Sequence, residues 1–173
     1  MGNFVARTEP DVPFIPPGFG FLSNTAARLW TVTGSGVALT LFDRRQKIGG
    51  MTHFCRPYRE AGAESTAMYA APAIVSLLAL FREAGSRPGD IEAQIYGGGS
   101  NSMQENHDPE IGKKNVQVAR EILKRQKVAV TGFDTGGARG RRIGFNTQTG
   151  ESVVFRVNEI RSRDWYPLPD TVN

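Results

Sequence analysis

The stretch Thr33-Gly34-Ser35-Gly36-Val37-Ala38-Leu39-Thr40-Leu41-Phe42-Asp43, then Arg44-Arg45-Gln46, then Lys47-Ile48-Gly49-Gly50-Met51-Thr52-His53-Phe54-Cys55-Arg56-Pro57, decides how this chain folds. Two short apolar runs flank a charged turn, the pattern of strand, turn and strand. Gly34, Ser35 and Gly36 open the first run, and small residues there let other groups come close to the backbone. His53 stands late in the second run, and an imidazole is the usual proton carrier near neutral pH. A reactive centre built this way needs a nucleophile beside the glycines, and none is there.

Working outward, the first strand is predicted over Leu29–Val32, continuing after the glycine break into Val37–Phe42, and the second over Ile48–Phe54. Arg59–Ser65 reads as a short loop. Pro72 suits a first helical turn, where its missing N–H costs nothing. Ile74, Val75, Leu78 and Phe81 then recur at helical spacing as core packing, and Gly85 stops the helix. Asp90–Ile95 reads as a strand running into Tyr96-Gly97-Gly98-Gly99-Ser100. A second helix is predicted from Gly112 to Gln126, burying Val116, Ala119, Ile122 and Leu123 while Lys and Arg face water. Strands are predicted over Lys127–Val130, Arg142–Asn146 and Ser152–Val157.

The expected organisation is an extended arm over residues 1–25, one domain over 26–160 and an irregular tail over 161–173. The arm is rich in Pro and Gly and would lie on the body through Phe14, Phe19, Phe21 and Leu22. Trp165-Tyr166-Pro167-Leu168-Pro169 would dock locally or stay mobile.

A chain of 173 residues, 39% hydrophobic and 22% charged, can bury a core without metal or disulfide help. No apolar run reaches the length of a membrane span, and the first residues lack a secretion pattern. One cysteine excludes an internal disulfide framework and fits a reducing compartment. We therefore expect a cytoplasmic protein without membrane insertion. Lys and Arg number 21 against 17 Asp and Glu, a net charge of +4 and a pI near 9.5. The denser basic run (Lys113, Lys114, Arg120, Lys124, Arg125, Lys127, then Arg139, Arg141 and Arg142) reads first as a solvated face. An acidic protein partner comes second. Without interleaved aromatics or zinc-finger spacing, no nucleic-acid partner is expected.

Four ordered motifs resemble those of one family, the chemoreceptor glutamine deamidases (CheD proteins). They are Gly34-Ser35-Gly36-Val37-Ala38-Leu39 with Lys47–His53 and Pro57, then Tyr96–Ser100, then Ile111-Gly112-Lys113-Lys114-Asn115-Val116, then Asp134-Thr135-Gly136-Gly137 with Gly140-Arg141-Arg142. The resemblance implies a single α+β domain, mixed β-sheet layers flanked by two main helices and related to cysteine-hydrolase toxins. It implies hydrolytic deamidation of receptor glutamine through a cysteine thiolate activated by histidine, with no cofactor and no metal. Its partners would be methyl-accepting chemoreceptors and a CheC-type phosphatase docking into the same cleft.

Residue by residue, His53 falls on the implied catalytic histidine, and Gly36 falls where the nucleophilic cysteine belongs. The implied threonine falls at Trp30, with Thr31 next. A one-residue slip turns Thr31 to the opposite strand face, leaving it an uncertain substitute. Cys55 is the alternative nucleophile. It follows His53 by two residues, on the same strand face and about 7 Å along the backbone. Its bland reading is a small buried side chain. Ser35 reads as structural, and His107 is given no role. The glycine run at 97–99 reads as a close backbone approach, and Asp134–Gly137 as a tight turn. With departures at both 30 and 36, the expected protein binds receptor or regulatory partners but no longer deamidates. The alternative is a working deamidase using Cys55 with His53.

Overall fold

Local patterning becomes two packed sheets and a helical layer in the structure, a computed structural model that describes residues 13–100, 108–160 and Asp164. A five-stranded mixed sheet has the order β1 (Phe19–Ser23), β4 (Ile48–Phe54), β3 (Val37–Asp43), β5 (Ile91–Gly97) and β6 (Ala129–Thr135). Its pairs are antiparallel except β5 with β6. A second, antiparallel sheet has the order β2 (Arg28–Thr33), β7 (Gly140–Asn146) and β8 (Ser152–Val157). Helices α1 (Ala70–Glu83) and α2 (Ile111–Arg125) pack on each other and on the five-stranded sheet. The fold is α+β. No helix among the described residues is long and apolar enough to cross a membrane.

Alternation along the central strands supplies both cores, because successive side chains leave a strand on opposite faces. Val37, Leu39 and Leu41 meet Ile74, Leu77, Phe81, Ala119 and Leu123 of the helices. Ala38 and Phe42 turn the other way and meet Leu29, Ile143 and Phe145 of the three-stranded sheet. His53 shares the inter-sheet side with Met51, and is 1% exposed.

Three sequence expectations change here. The run Leu29–Phe42 is not one interrupted strand. Its halves lie in different sheets, and Gly34–Gly36 is the bend that carries the chain between them. Phe19–Ser23 forms an edge strand on β4, where no strand was expected before Leu29. β6 runs on to Thr135, past the predicted end at Val130, because its ladder with β5 extends that far. The helices fall within two residues of their predicted limits, and Gly85 follows the end of α1 with a φ of +89°. Residues 1–12, His107 and Trp165–Pro169 lie outside the described residues.

Gly49 is what lets the two sheets close. A Cβ there would stand 2.5 Å from the Thr147 Cα and 2.6 Å from its carbonyl oxygen. Thr147 is buried and cannot retreat, since its hydroxyl donates to the Thr25 carbonyl at 2.8 Å. Gly49→Ala should therefore cost about 2–3 kcal/mol through overpacking against backbone, read as a lower urea midpoint with an unchanged m-value.

Candidate functional site

Parity places the site residues. β2 turns Leu29, Thr31 and Thr33 inward, and each is fully or nearly fully buried. Trp30 points outward, its ring lying over Gly144 with the Arg142 guanidinium 5.2 Å from the ring centroid. Thr31 thus faces the five-stranded sheet, and its Oγ1 lies 3.0 Å from His53 Nδ1. Thr31, an uncertain substitute by sequence, lies opposite Trp30 on the face that meets His53.

The hydrogen-bond chain assigns the proton on the ring. Thr31 has one hydroxyl hydrogen, donated to the Ile15 carbonyl at 2.6 Å. Toward His53 the same oxygen can only accept. His53 must then carry its proton on Nδ1, leaving the Nε2 lone pair free as a base. That lone pair faces Cys55 Sγ at 3.9 Å, within reach for a sulfur donor. The side chains converge far more than the backbone rise implied, because β4 ends at Phe54 and Cys55 leaves the ladder. The Cys55 N–H donates to the Met68 carbonyl at 3.0 Å, so the residue's backbone is held.

Cys55 is half-buried. Burial pushes its thiol up to about 11, partly opposed by the charge of Arg56. Burial pushes His53 down to about 4, against a smaller opposite effect from the hydrogen bonding to Ile15. Near neutral pH the pair is therefore an uncharged thiol beside an uncharged imidazole. It can act by transferring the S–H proton to Nε2 as the sulfur attacks, rather than as a standing ion pair.

Gly36 and Cys55 share one space. A Cβ at residue 36 would lie 3.1 Å from Cys55 Sγ, 3.0 Å from Thr33 Oγ1 and 2.9 Å from the Phe54 carbonyl oxygen. The sulfur of Cys55 thus stands beside the position from which a residue-36 side chain would reach into the site. Asn115, fully buried on α2, donates from Nδ2 to the carbonyls of Ser35 at 2.9 Å and of Cys55 at 3.0 Å. Sequence reading placed Asn115 in a motif but gave it no task, since nothing local says what a helix residue touches 60 positions away.

The glycine run makes a backbone-to-backbone contact. Gly98 and Gly99 donate to the carbonyls of Gly36 and Gly34, both at 2.8 Å. Gly97 and Gly98 have positive φ, and a Cβ on Gly97 would collide with the Gly36 carbonyl. Asp134 and Thr135 end β6, and the turn proper is Gly136–Gly137. Buried Arg141 braces it, donating to Asp134 Oδ1 at 2.9 Å and to the Gly136 carbonyl at 2.7 Å. Burial would raise the Asp134 carboxyl, but Arg141 and Arg156 outweigh it and hold the group below its usual range.

Threonine, histidine and cysteine in one hydrogen-bonded row, on an α+β scaffold, define a thiol–imidazole site. The family model described as CheD chemotactic sensory transduction matches residues 56–156, a stretch that begins just after Cys55. The chain belongs to this CheD family. A probable chemoreceptor glutamine deamidase CheD of Rhodospirillum rubrum is 35% identical over 152 residues, covering 88% of this chain and 86% of that protein. The protein so named from Methanococcus vannielii is 33% identical over 133 residues, covering 76% and 86%. A crystal structure of Bacillus licheniformis hypothetical protein YfiH aligns with a TM-score of 0.45 and 15% identity, over 79% of this chain and 62% of that one.

Two measurements check the geometry. A disulfide needs about 3 Å between one Cβ and the opposite sulfur, so Gly36→Cys should crosslink to Cys55 under mild oxidation, read as loss of free thiol. His53, free to protonate when unfolded near pH 6.5 but held down to about 4 when folded, leaves the unfolded state binding more protons between those values. Stability should therefore fall as pH drops from 6.5 towards 4, by up to roughly 3 kcal/mol. Chemical denaturation of His53→Gln across that range should show a flatter dependence.

Proposed function

We propose that this chain engages the glutamine-bearing region of a methyl-accepting chemoreceptor and hydrolyses the glutamine amide, with Cys55 as the nucleophile in place of residue 36. The observation that carries this reading is the 3.9 Å approach of Cys55 Sγ to the unprotonated Nε2 of His53. The loss of activity suggested by the sequence rested on two departures. In this reading Thr31, 3.0 Å from His53 Nδ1, stands in for the threonine missing at Trp30, and the sulfur of Cys55 stands in for the one missing at Gly36. The relatives' names supply the substrate class, a chemoreceptor glutamine.

In this mechanism the Cys55 sulfur bonds to the amide carbon while its proton passes to Nε2. The imidazolium, steadied through Nδ1 by Thr31, then protonates the departing nitrogen. Ammonia leaves and a thioester remains. Water, deprotonated by the same Nε2, attacks the thioester and releases glutamate and the free thiol. A CheC-type phosphatase docking over this cleft would compete with the receptor.

The test is ammonia release from a glutamine-bearing receptor fragment. Wild type should release ammonia, and Cys55→Ala should lower the rate at least about a thousandfold. The double variant Gly36→Cys/Cys55→Ala should regain part of it, since it returns a thiol to the same space from the other wall. Binding without ammonia release by wild type would mean a receptor-binding protein that no longer deamidates. Undiminished turnover in Cys55→Ala would place the nucleophile elsewhere.

A further inference from the structure

The buried row Thr31–His53–Cys55 is reached at three points by one short segment that gives it no side chain. Pro13–Gly18 precedes β1 and lies across both sheets. The Trp30 N–H donates to the Pro13 carbonyl at 3.1 Å and the Ile15 N–H to the Trp30 carbonyl at 2.7 Å, which fastens the segment to β2. The Gly18 N–H donates to the His53 carbonyl at 2.8 Å, which fastens it to β4. Gly18 also bridges to Ala67, and its vacant Cβ position is 2.8 Å from Met68 Sδ. The Met68 carbonyl in turn accepts the N–H groups of Cys55 and Arg56 at 3.0 and 2.9 Å. The segment therefore meets Thr31 at Ile15, His53 at Gly18, and the support of Cys55 at Met68.

Its sequence makes this path stiff. Pro16 and Pro17 have φ fixed at about −65°, and a residue before proline is held extended, so Pro16 restricts where the Ile15 carbonyl can point. Ile15 is 3% exposed and packs in the core between the sheets. Gly18, with a φ of +85°, turns the chain into β1.

The Ile15 carbonyl matters because it takes the one hydroxyl hydrogen of Thr31, at 2.6 Å. With that carbonyl withdrawn, the hydrogen turns to His53 Nδ1, 3.0 Å from the same oxygen. A neutral ring that accepts at Nδ1 carries its proton on Nε2, the nitrogen 3.9 Å from Cys55 Sγ. It then donates toward the sulfur and can take no proton from it. Burial pulls His53 down and hydrogen bonding to Ile15 opposes it. The same carbonyl thus favours the imidazolium that forms as the sulfur gives up its proton.

We propose that Pro13–Gly18 is a positioning clamp for the thiol site, with Ile15 the residue whose carbonyl decides which nitrogen of His53 is the base. This rests on the reading of Cys55 as the nucleophile and adds a condition to it: the base exists only while the segment is seated. Ile15 is a positioning residue, acting through Thr31.

The chain has two histidines, so long-range 1H–15N correlation on the full-length protein near neutral pH gives two imidazole patterns, and His53→Gln identifies that of His53. Wild type should show the Nδ1–H tautomer, a result that depends on no variant folding. Ile15→Pro deletes the N–H given to Trp30, and the milder Ile15→Ala removes the apolar anchor. In each, hydrogen exchange at the Gly18 N–H should quicken by at least about tenfold, the worth of one hydrogen bond, which reports that the segment has come loose. His53 should then move to the Nε2–H tautomer, and ammonia release should fall at least about a hundredfold, as for loss of a general base. Ile15→Val keeps the N–H, the carbonyl and a branched anchor, and should restore the Nδ1–H pattern. A merely structural Ile15 would lower the urea midpoint and leave the tautomer as it was. Nδ1–H retained in a variant whose segment has loosened, or a Gly18 exchange rate unchanged in both variants, overturns the clamp and leaves Cys55 as nucleophile standing. An Nε2–H ring in wild type overturns the clamp together with the base assigned to the thiol. A tautomer that changes as expected, in a protein whose wild type releases no ammonia, upholds the clamp and overturns the deamidase reading.

Discussion

The site turns on a single hydrogen. Thr31 has one hydroxyl proton, and the Ile15 carbonyl takes it at 2.6 Å. That leaves the oxygen as an acceptor for His53 Nδ1 and sends the imidazole lone pair toward Cys55. Three separate parts of the chain must meet for this to hold. Ile15 belongs to the segment that runs beside β2, where Phe14 bridges to Trp30 and the Ile15 N–H donates to the Trp30 carbonyl at 2.7 Å. Thr31 belongs to the three-stranded sheet, and His53 to the five-stranded one. The tautomer of a buried ring is thus set by how closely two sheets pack, and the packing is set in turn by Gly49 against Thr147.

The same closeness explains the electrical state of the pair. Enclosure that orients His53 also strips it of water and disfavours its charged form, and the sulfur suffers likewise. A buried pair that ionised at rest would need further donors to hold the thiolate. The Cys55 amide is taken by the Met68 carbonyl and cannot supply one. Keeping both groups neutral avoids that cost.

Much of this was legible in the residues, and what was not had physical causes. Both helices and the β3–turn–β4 hairpin are written in local periodicity, and the motifs around Gly36, His53 and Asn115 lie where the site is. Thr31 was left an uncertain substitute because alternation puts it opposite Trp30, and nothing local says which of the two faces meets His53. The sheet change at Gly34–Gly36 is a long-range fact, decided by β2 pairing with β7 more than a hundred residues later. β1 was missed for a related reason. Pro16, Pro17 and Gly18 mask its start, and its alternation shows only against β4. The separation of Cys55 from His53 was overestimated because backbone rise measures Cα separation, while side chains at a strand end can lean together.

Why the thiol should come from Cys55 rather than from the bend follows from the rigidity of the bend. Gly34 and Gly36 are held from one side by the amides of Gly99 and Gly98. Gly98 and Gly99 lie so close to Gly112 at the start of α2 that a Cβ on Gly112 would collide with their carbonyls. From the other side Asn115 holds Ser35. With backbone packed to this density, a Cβ at residue 36 would press on the Phe54 carbonyl oxygen, Thr33 Oγ1 and Cys55 Sγ at 2.9, 3.0 and 3.1 Å. The end of β4 is the freer wall, since the ladder has finished and one side chain there can turn toward His53 without disturbing a pair. A sulfur reaching in from that wall keeps the glycine contacts, the Asn115 bridge and the Thr31–His53 bond intact. On the proposed reading, Gly36 is the residue that makes room for the Cys55 sulfur, since a Cβ there would lie 3.1 Å from it.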